Sequence, residues 1–528
     1  MARRTMERYK KKATVAITLC MVATLMTGCS SGKIEESNSN VQSNVEETIS
    51  QPTVEPSKGQ EVESEFQGTT IELSDNAITV NGETASNDPS ASVYTSQDIV
   101  YYEDGKDETY GEGSEIDAHS ADEAKKHTVI TITQPGNYKV SGSIAYGQIA
   151  IDLGKDAKED ENAVVTLTLD NANITCTVAP AIIVYNAYEC GSSDVDTASA
   201  DVDTTKAGFQ LVIADDSINE ISGSHVAKIY EEGTTDKLHK YDGAINSNVS
   251  FIINAESIGN GQLVVNSDNE GISSGLHMTV NGGNIRINAC DDSINTNEDG
   301  VSVFTMNDGV LICDSGNGTE GDGIDSNGWI VINGGFITAS ANGNSQDSGV
   351  DSDNGIIING GTVLATGNMY DEVSPESKQG FLVLNFSDKQ KDETNILLKD
   401  QEGNAITAFH SVNDYSMLVY SSPTITEGDY TLYQVTSVTG DLHGSIYTNI
   451  TEYADEKQLQ YKSSGMMGMG AGMFKPGQMP GGGEAPDMSQ MPEGDPIPGG
   501  MQIAGEASTV FTIVAGGNTF SGITIATK

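Results

Sequence analysis

The chain has 528 residues, room for two or more ordinary domains or for one long repeat domain with tails. Its 76 Asp and Glu residues against 27 Lys and Arg give a formal net charge of -49. A surface of that sign repels phosphate backbones, which excludes DNA or RNA as a partner.

In chain order, Arg3, Arg4, Arg8 and Lys10 to Lys12 precede an apolar run, ATVAITLCMVATLM, at residues 13–26. The run is too short to span a bilayer comfortably and has the layout of an export signal. It leads into Met26-Thr27-Gly28-Cys29-Ser30, which resembles a bacterial lipoprotein cleavage box with the usual Leu one place early, at Leu25. Residues 1–28 therefore read as a lipoprotein signal peptide and Cys29 as the lipidated residue. The mature protein is expected to be exported and held to the outer face of the bacterial cell membrane, touching the membrane only through that anchor. Cleavage leaves 21 basic against 75 acidic residues, a net charge of -54.

Residues 29–65 are polar, acidic and almost free of aromatic residues, so they cannot bury enough apolar surface to fold and read as a disordered linker. Residues 66–125 form a transitional acidic segment with a hairpin signal at Asn81-Gly82, and no function can be read from them. From about residue 126, short runs such as VITI, QIAIDL and FQLVIAD alternate with turn residues and show no useful helical period, which predicts an all-β fold. Cys176, Cys190, Cys290 and Cys313 have no CxxC spacing and the seven histidines form no HExxH set, so zinc has no support; a Cys176–Cys190 disulfide stays open.

The repeat is the strongest signal. NGG, NDG, NGG and NGG begin at Asn281, Asn307, Asn333 and Asn359, each 26 residues after the last, which is a solenoid period. Three residues before each Asn lie Met278, Phe304, Ile330 and Ile356, and four after lie Ile285, Leu311, Ile337 and Val363. A further strand supplies Ile245, Ile272, Ile294, Ile324 and Val350. Side chains alternate across a strand, so these columns point inward and stack on their neighbours. The spacing predicts a parallel β-helix over 126–379, with stacked asparagines as a ladder at one corner and positive φ at the glycines that follow. Residues 380–462 read as a β-rich C-terminal cap over the open end, 463–505 as a Gly/Met/Pro-rich low-complexity segment, and 506–528 as terminal β strands.

With that isoleucine column inward, the next residues, Asn246, Ser273, Asn295, Asp325 and Asp351, are expected to face solvent. Two further along come Asn248, Gly275, Asn297, Asn327 and Asp353, and just upstream lie Glu270, Asp291, Asp292, Asp322 and Asp347. One lateral face thus offers oxygen ligands and no cation. Calcium, which takes carboxylate, amide and backbone oxygens, is the natural relief for such a column in an exported protein. The candidate ligands are Asp292, Asn295, Asn297, Asp322, Asp325, Asn327, Asp351 and Asp353.

At this point GNYKVSGSIAYGQIAIDL, VVTLTLDNANI, APAIIVYNA and the rungs NEGISS, DDSINTN, GDGIDSN and SGVDSD resemble the bacterial carbohydrate-binding β-helix family that is itself similar to pectate lyases. The resemblance implies a right-handed parallel β-helix, bound calcium, and binding of plant cell-wall polysaccharide of the pectin type and of cellulose, without established cleavage. The departures are a four-residue expansion near residues 298–301 and a last rung richer in acid. If the chain were instead a calcium-dependent pectate lyase, Arg286, the single arginine after the signal peptide, would be its base. Its ordinary pKa above about 12 argues against that role, and it is expected to pair with local carboxylates or touch the glycan. Trp329, the single tryptophan, is expected to face outward as a sugar platform. A surface adhesin using the fold as a spacer is the third reading.

Overall fold

The computed structural model describes residues 66–392, 394–464 and 504–527. The expected signal peptide, the expected lipidation residue Cys29, the expected linker and most of the Gly/Met/Pro-rich segment lie outside the described residues. The fold is all-β: the helical elements among the described residues are the four-residue Ala121–Ala124 and the 3-10 turn Lys155–Glu159.

Three parallel ladders carry the repeats. The first runs through Phe209–Ile213, Phe251–Ala255, Met278–Val280, Val303–Met306, Trp329–Ile332 and Gly355–Ile358. The second runs through Ile218–Gly223, Gln262–Ser267, Asn284–Asn288, Val310–Asp314, Phe336–Ser340 and Thr362–Gly367. The third runs through Ile182–Asn186, Gly243–Ser247, Glu270–Ser274, Ile294–Thr296, Ile324–Ser326 and Asp351–Ser352. The chain visits one strand of each in turn. Met278, Phe304, Ile330 and Ile356 are register partners, as are Ile285, Leu311, Ile337 and Val363, and all are buried. Ile245, Ile272, Ile294 and Ile324 are fully buried with Val350 beside them. Burying each such side chain stabilises by at most about 1.5–3 kcal/mol, and stacking makes the contribution repeat with every rung.

The corner between the first two ladders is set by the repeated Asn-Gly signal. The amide of Asn359 donates to Asn333, Asn333 to Asn307, Asn307 to Asn281 and Asn281 to Asn254, at 2.8–2.9 Å. The ladder begins one rung before the NGG motif does. Gly309 and Gly335 adopt φ of 94° and 80°. A Cβ on Gly309 would lie 2.7 Å from the Gly283 carbonyl oxygen, so the close approach of successive corners also demands glycine.

Both ends of the ladders are occupied. Thr69–Leu73 pairs in parallel with Gly136–Ile144, which pairs with Val165–Thr175, and Thr79–Val80 and Glu83–Thr84 form a hairpin on Asn81-Gly82 with positive φ at both turn residues. Residues 66–125 are thus built into the fold. At the other end Tyr415–Ser421 pairs antiparallel with Thr362–Gly367 and with Phe381–Gln390. Gly517–Ile525 returns to pair with Phe381–Gln390 and Lys457–Ser464, over a second core that includes Phe409, Tyr420 and Phe511. Cys176 and Cys190 are not bridged to each other, and Cys313 is a buried filler in register with Ile287. Among the described residues no helix is long and apolar enough to cross a membrane.

Candidate functional site

The site is the outer side of the third ladder. Asn246, Ser273, Asn295, Asp325 and Asp351 are successive register partners, so residues far apart in sequence form one line about 4.8 Å per step. The expectation that this line faces solvent is corrected for its first three members: Asn246, Ser273 and Asn295 are 5%, 3% and 9% exposed. Neighbouring segments hold them by hydrogen bonds, Asn246 accepting the Asp242 amide at 3.2 Å and Asn295 donating to Glu270 and Asp292. Asp371, from one such segment, accepts the Ser352 amide at 2.9 Å and lies against Asp351.

The oxygens of this face are held by backbone and amide donors. Asp292 accepts the Asp322 amide at 2.7 Å, Asp322 accepts the Ser348 amide, and Asp347 accepts the Gly321 amide at 2.6 Å. The Asn295 amide donates to Glu270 at 3.0 Å and to Asp292 at 3.2 Å. Asn297 donates to the Ser273 hydroxyl at 2.8 Å, and Asn327 donates to the Asn297 carbonyl and to Asp299 in the expanded 298–301 turn. Asp353 is exposed at the far end. Two oxygens stay unpartnered in the buried part, Glu270 Oε2 and Asn295 Oδ1. Such groups cost about 1–3 kcal/mol each unless something binds them.

Burial, then neighbouring carboxylates, raise these acids together. Asp292 is pushed up to about 8, Asp322 to about 9, Asp325 to about 7 and Asp351 to about 8, while Glu270 and Asp291 are also raised. The column therefore resists full ionisation near neutral pH and lacks countercharge of its own.

The first rungs open into a cleft of about 320 Å³ lined by Asn246, Asn248, Ser273, Gly275, Asn297 and Asn327 together with Lys237, Lys240 and Asp242. The two lysines correct the expectation of a face without cations. They come from the strand Lys237–Tyr241 of an antiparallel hairpin with Val226–Tyr230, which interrupts the repeat and left no periodic signal. Lys240 pairs with Asp242 at 2.8 Å. Burial lowers its pKa, but Asp242, Glu270 and Asp291 outweigh burial and leave it raised.

The remaining predicted residues sit elsewhere. Arg286 is exposed on the second ladder, with Val264 and Ile312 as register partners. Among the described residues no carboxylate lies within ion-pair distance of it, so the expected pairing is not formed. Trp329 is half-buried on the first ladder between Val303 and Gly355, two residues past Asn327 of the cleft.

The sequence profile of the carbohydrate-binding domain-containing proteins matches residues 126–394, the region that holds all three ladders and the cleft. The chain belongs to that family. A carbohydrate-binding domain-containing protein of Acetivibrio thermocellus is 30% identical over 162 residues, which is 30% of this chain and 45% of that protein. The chain thus spans less than half the length of this curated relative. Among solved structures, a polysaccharide lyase-like protein from C. thermocellum, as its gadolinium derivative, aligns over 56% of this chain and 90% of its own at 19% identity and a TM-score of 0.34.

Proposed function

We propose that this protein is a cell-surface lipoprotein that binds acidic plant cell-wall polysaccharide, of the pectin or polygalacturonate type, through a calcium-bearing face. The three ladders are read as the faces of a right-handed parallel β-helix. The observation that carries the functional reading is the buried carboxylate column running beside a lysine-flanked, amide-lined cleft on one ladder. Family membership supports a carbohydrate partner.

The donor set fits a hard cation: carboxylates, amide oxygens and backbone carbonyls, with Glu270 Oε2 and Asn295 Oδ1 buried and unpartnered. Among the described residues no three His, Cys, Asp or Glu side chains converge as a cage by themselves, so Asn and backbone oxygens or the ligand would complete the shell. Asp292, Asn295, Asp322, Asp325, Asp351 and Asp353, with Glu270, would hold calcium, and Asn297 and Asn327 would present their oxygens toward the cleft. Bound calcium supplies the positive charge that an anionic protein needs to hold an anionic chain. Lys237 adds direct countercharge for uronate carboxylates, Lys240 being held by Asp242, and the cleft amides match sugar hydroxyls.

A lyase reading requires a base beside the acids. Arg286 stands on another ladder, and Lys240, the cleft lysine paired with Asp242, has its pKa raised, which opposes proton abstraction. Binding without cleavage is the better reading, and cellulose is a further candidate ligand. Glycan-array binding of the full chain separates binder from spacer: signal on uronate glycans that disappears with chelator supports the reading, and no glycan signal in either condition removes it.

A further inference from the structure

A cavity of about 660 Å³ lies between residues 99–110 and the hairpin that brings the lysines to the cleft. Its size falls in the range of about 300–1,000 Å³ of small-ligand pockets. Tyr101, Tyr110, Tyr230 and His239 line it, together with Leu238, which is 50% exposed. Glu103, Asp107 and Glu232 stand among the polar lining residues with Lys106, and Lys106 is already paired with Glu103 at 2.7 Å and lies over the Tyr110 ring at 5.1 Å. The pocket is acidic in balance.

Its two walls are latched together. Glu112 pairs with Lys228 at 3.0 Å and accepts from the Tyr230 hydroxyl at 2.8 Å, and the Tyr230 amide donates to the Tyr110 carbonyl at 2.8 Å. His225 bridges Asp117 at 3.2 Å and Asp268 at 3.1 Å. Aromatic platforms held in place before a ligand arrives lose little freedom on binding it. The strand Lys237–Tyr241 borders both cavities: Lys237 and Lys240 line the cleft, and Leu238 and His239 line this pocket. Residues 99–110 precede the family-matched region, so most of the pocket lining lies outside it.

We propose that this pocket is a second carbohydrate subsite, which stacks the apolar faces of neutral hexose rings and needs no calcium. A pyranose offers C–H faces to tyrosines and hydroxyl donors to carboxylates, and both partners are present here. A uronate chain is repelled by three acids whose single lysine is spent on one of them. The inference rests on the family's carbohydrate-binding role and is independent of the calcium reading of the third ladder.

The test is calorimetric titration of the full chain, in chelator and again in calcium, with three probes: neutral glucose oligosaccharide, galacturonate oligosaccharide and glucosamine oligosaccharide. The neutral probe should bind without calcium, and Tyr101→Ala should weaken it by about tenfold, the scale of one lost aromatic contact. Leu238→Asp, at a half-exposed position that leaves folding intact, should weaken it as well. Melting temperature and calcium-dependent galacturonate binding should not change in either variant. No binding of the neutral probe, neutral binding indifferent to both variants, or binding of the glucosamine probe alone would overturn the proposal. Failure of galacturonate to bind in calcium would overturn the third-ladder reading, with the neutral probe still deciding this one.

Discussion

The sharpest consequence of a stacked carboxylate column is a stability order that reverses with calcium. Asp325 and Asp351 are register partners on adjacent strands, about 4.8 Å apart along the ladder. Two unit charges at that spacing repel by about 3 kcal/mol at an effective dielectric of about 20, and partial exposure reduces this to about 1–2 kcal/mol. Burial, then Asp353 for Asp325 and the Asp371 hydrogen bond for Asp351, push the two up to about 7 and about 8. Both groups have folded pKa values above their unfolded ones, so native stability in chelator falls as pH rises from the unfolded Asp value of 3.8 to about 7 and about 8. The double variant Asp325→Asn, Asp351→Asn removes the repulsion, and the amide introduced by the second substitution can still donate to Asp371. Above pH of about 8 in chelator the variant should be about 1–2 kcal/mol more stable than the wild type, read by thermal unfolding. In about 10 mM calcium, a hundredfold excess over a Kd of about 10⁻⁴ M, the wild type should gain about 2.7 kcal/mol and the variant much less. The order then inverts. A variant less stable than wild type in chelator, or one with the full calcium gain, would refute the reasoning.

Two further outcomes follow from the scaffold. His225 would be lowered by burial alone, but its hydrogen bonds to Asp117 and Asp268 outweigh burial and push it up to about 10, while the His225 hydrogen bond leads in lowering Asp117 to about 2. The clamp is fully present below the unfolded His value of 6.5 and above the unfolded Asp value of 3.8, and is lost as pH rises toward about 10 or falls toward about 2. His225→Gln should therefore cost about 2 kcal/mol near pH 6 and little near pH 10, with proteolysis of residues 99–119 reporting the release. Asn333→Ala removes one donor and one acceptor from the corner ladder and should cost about 1–2 kcal/mol in denaturant midpoint without abolishing folding.

The core was legible because it repeats. A 26-residue period places Ile330 over Phe304 and Asn333 over Asn307, and the registers are those the spacing implies. The direction of the acidic line was legible for the same reason, since Asn295, Asp325 and Asp351 follow the buried Ile294, Ile324 and Val350 by one residue. Burial on its outer side was not, because a strand pattern says which way a side chain points and nothing of what lies over it. Lys237 and Lys240 escaped notice because their hairpin belongs to no period. The aromatic pocket was hidden for a related reason: Glu112 and Lys228, which join its walls, are 116 residues apart. Arg286 was expected to pair with local carboxylates, yet its ladder keeps it apart from the acids.

The central claim is that calcium on the third ladder lets an anionic protein hold an anionic sugar chain. Polygalacturonate pull-down of the full chain, with calcium and then with chelator, tests it most directly. Retention in calcium and release in chelator, with both lost when Asp325 and Asp351 are replaced by Asn, is the predicted result. Equal retention in both buffers, or none in either, would contradict it.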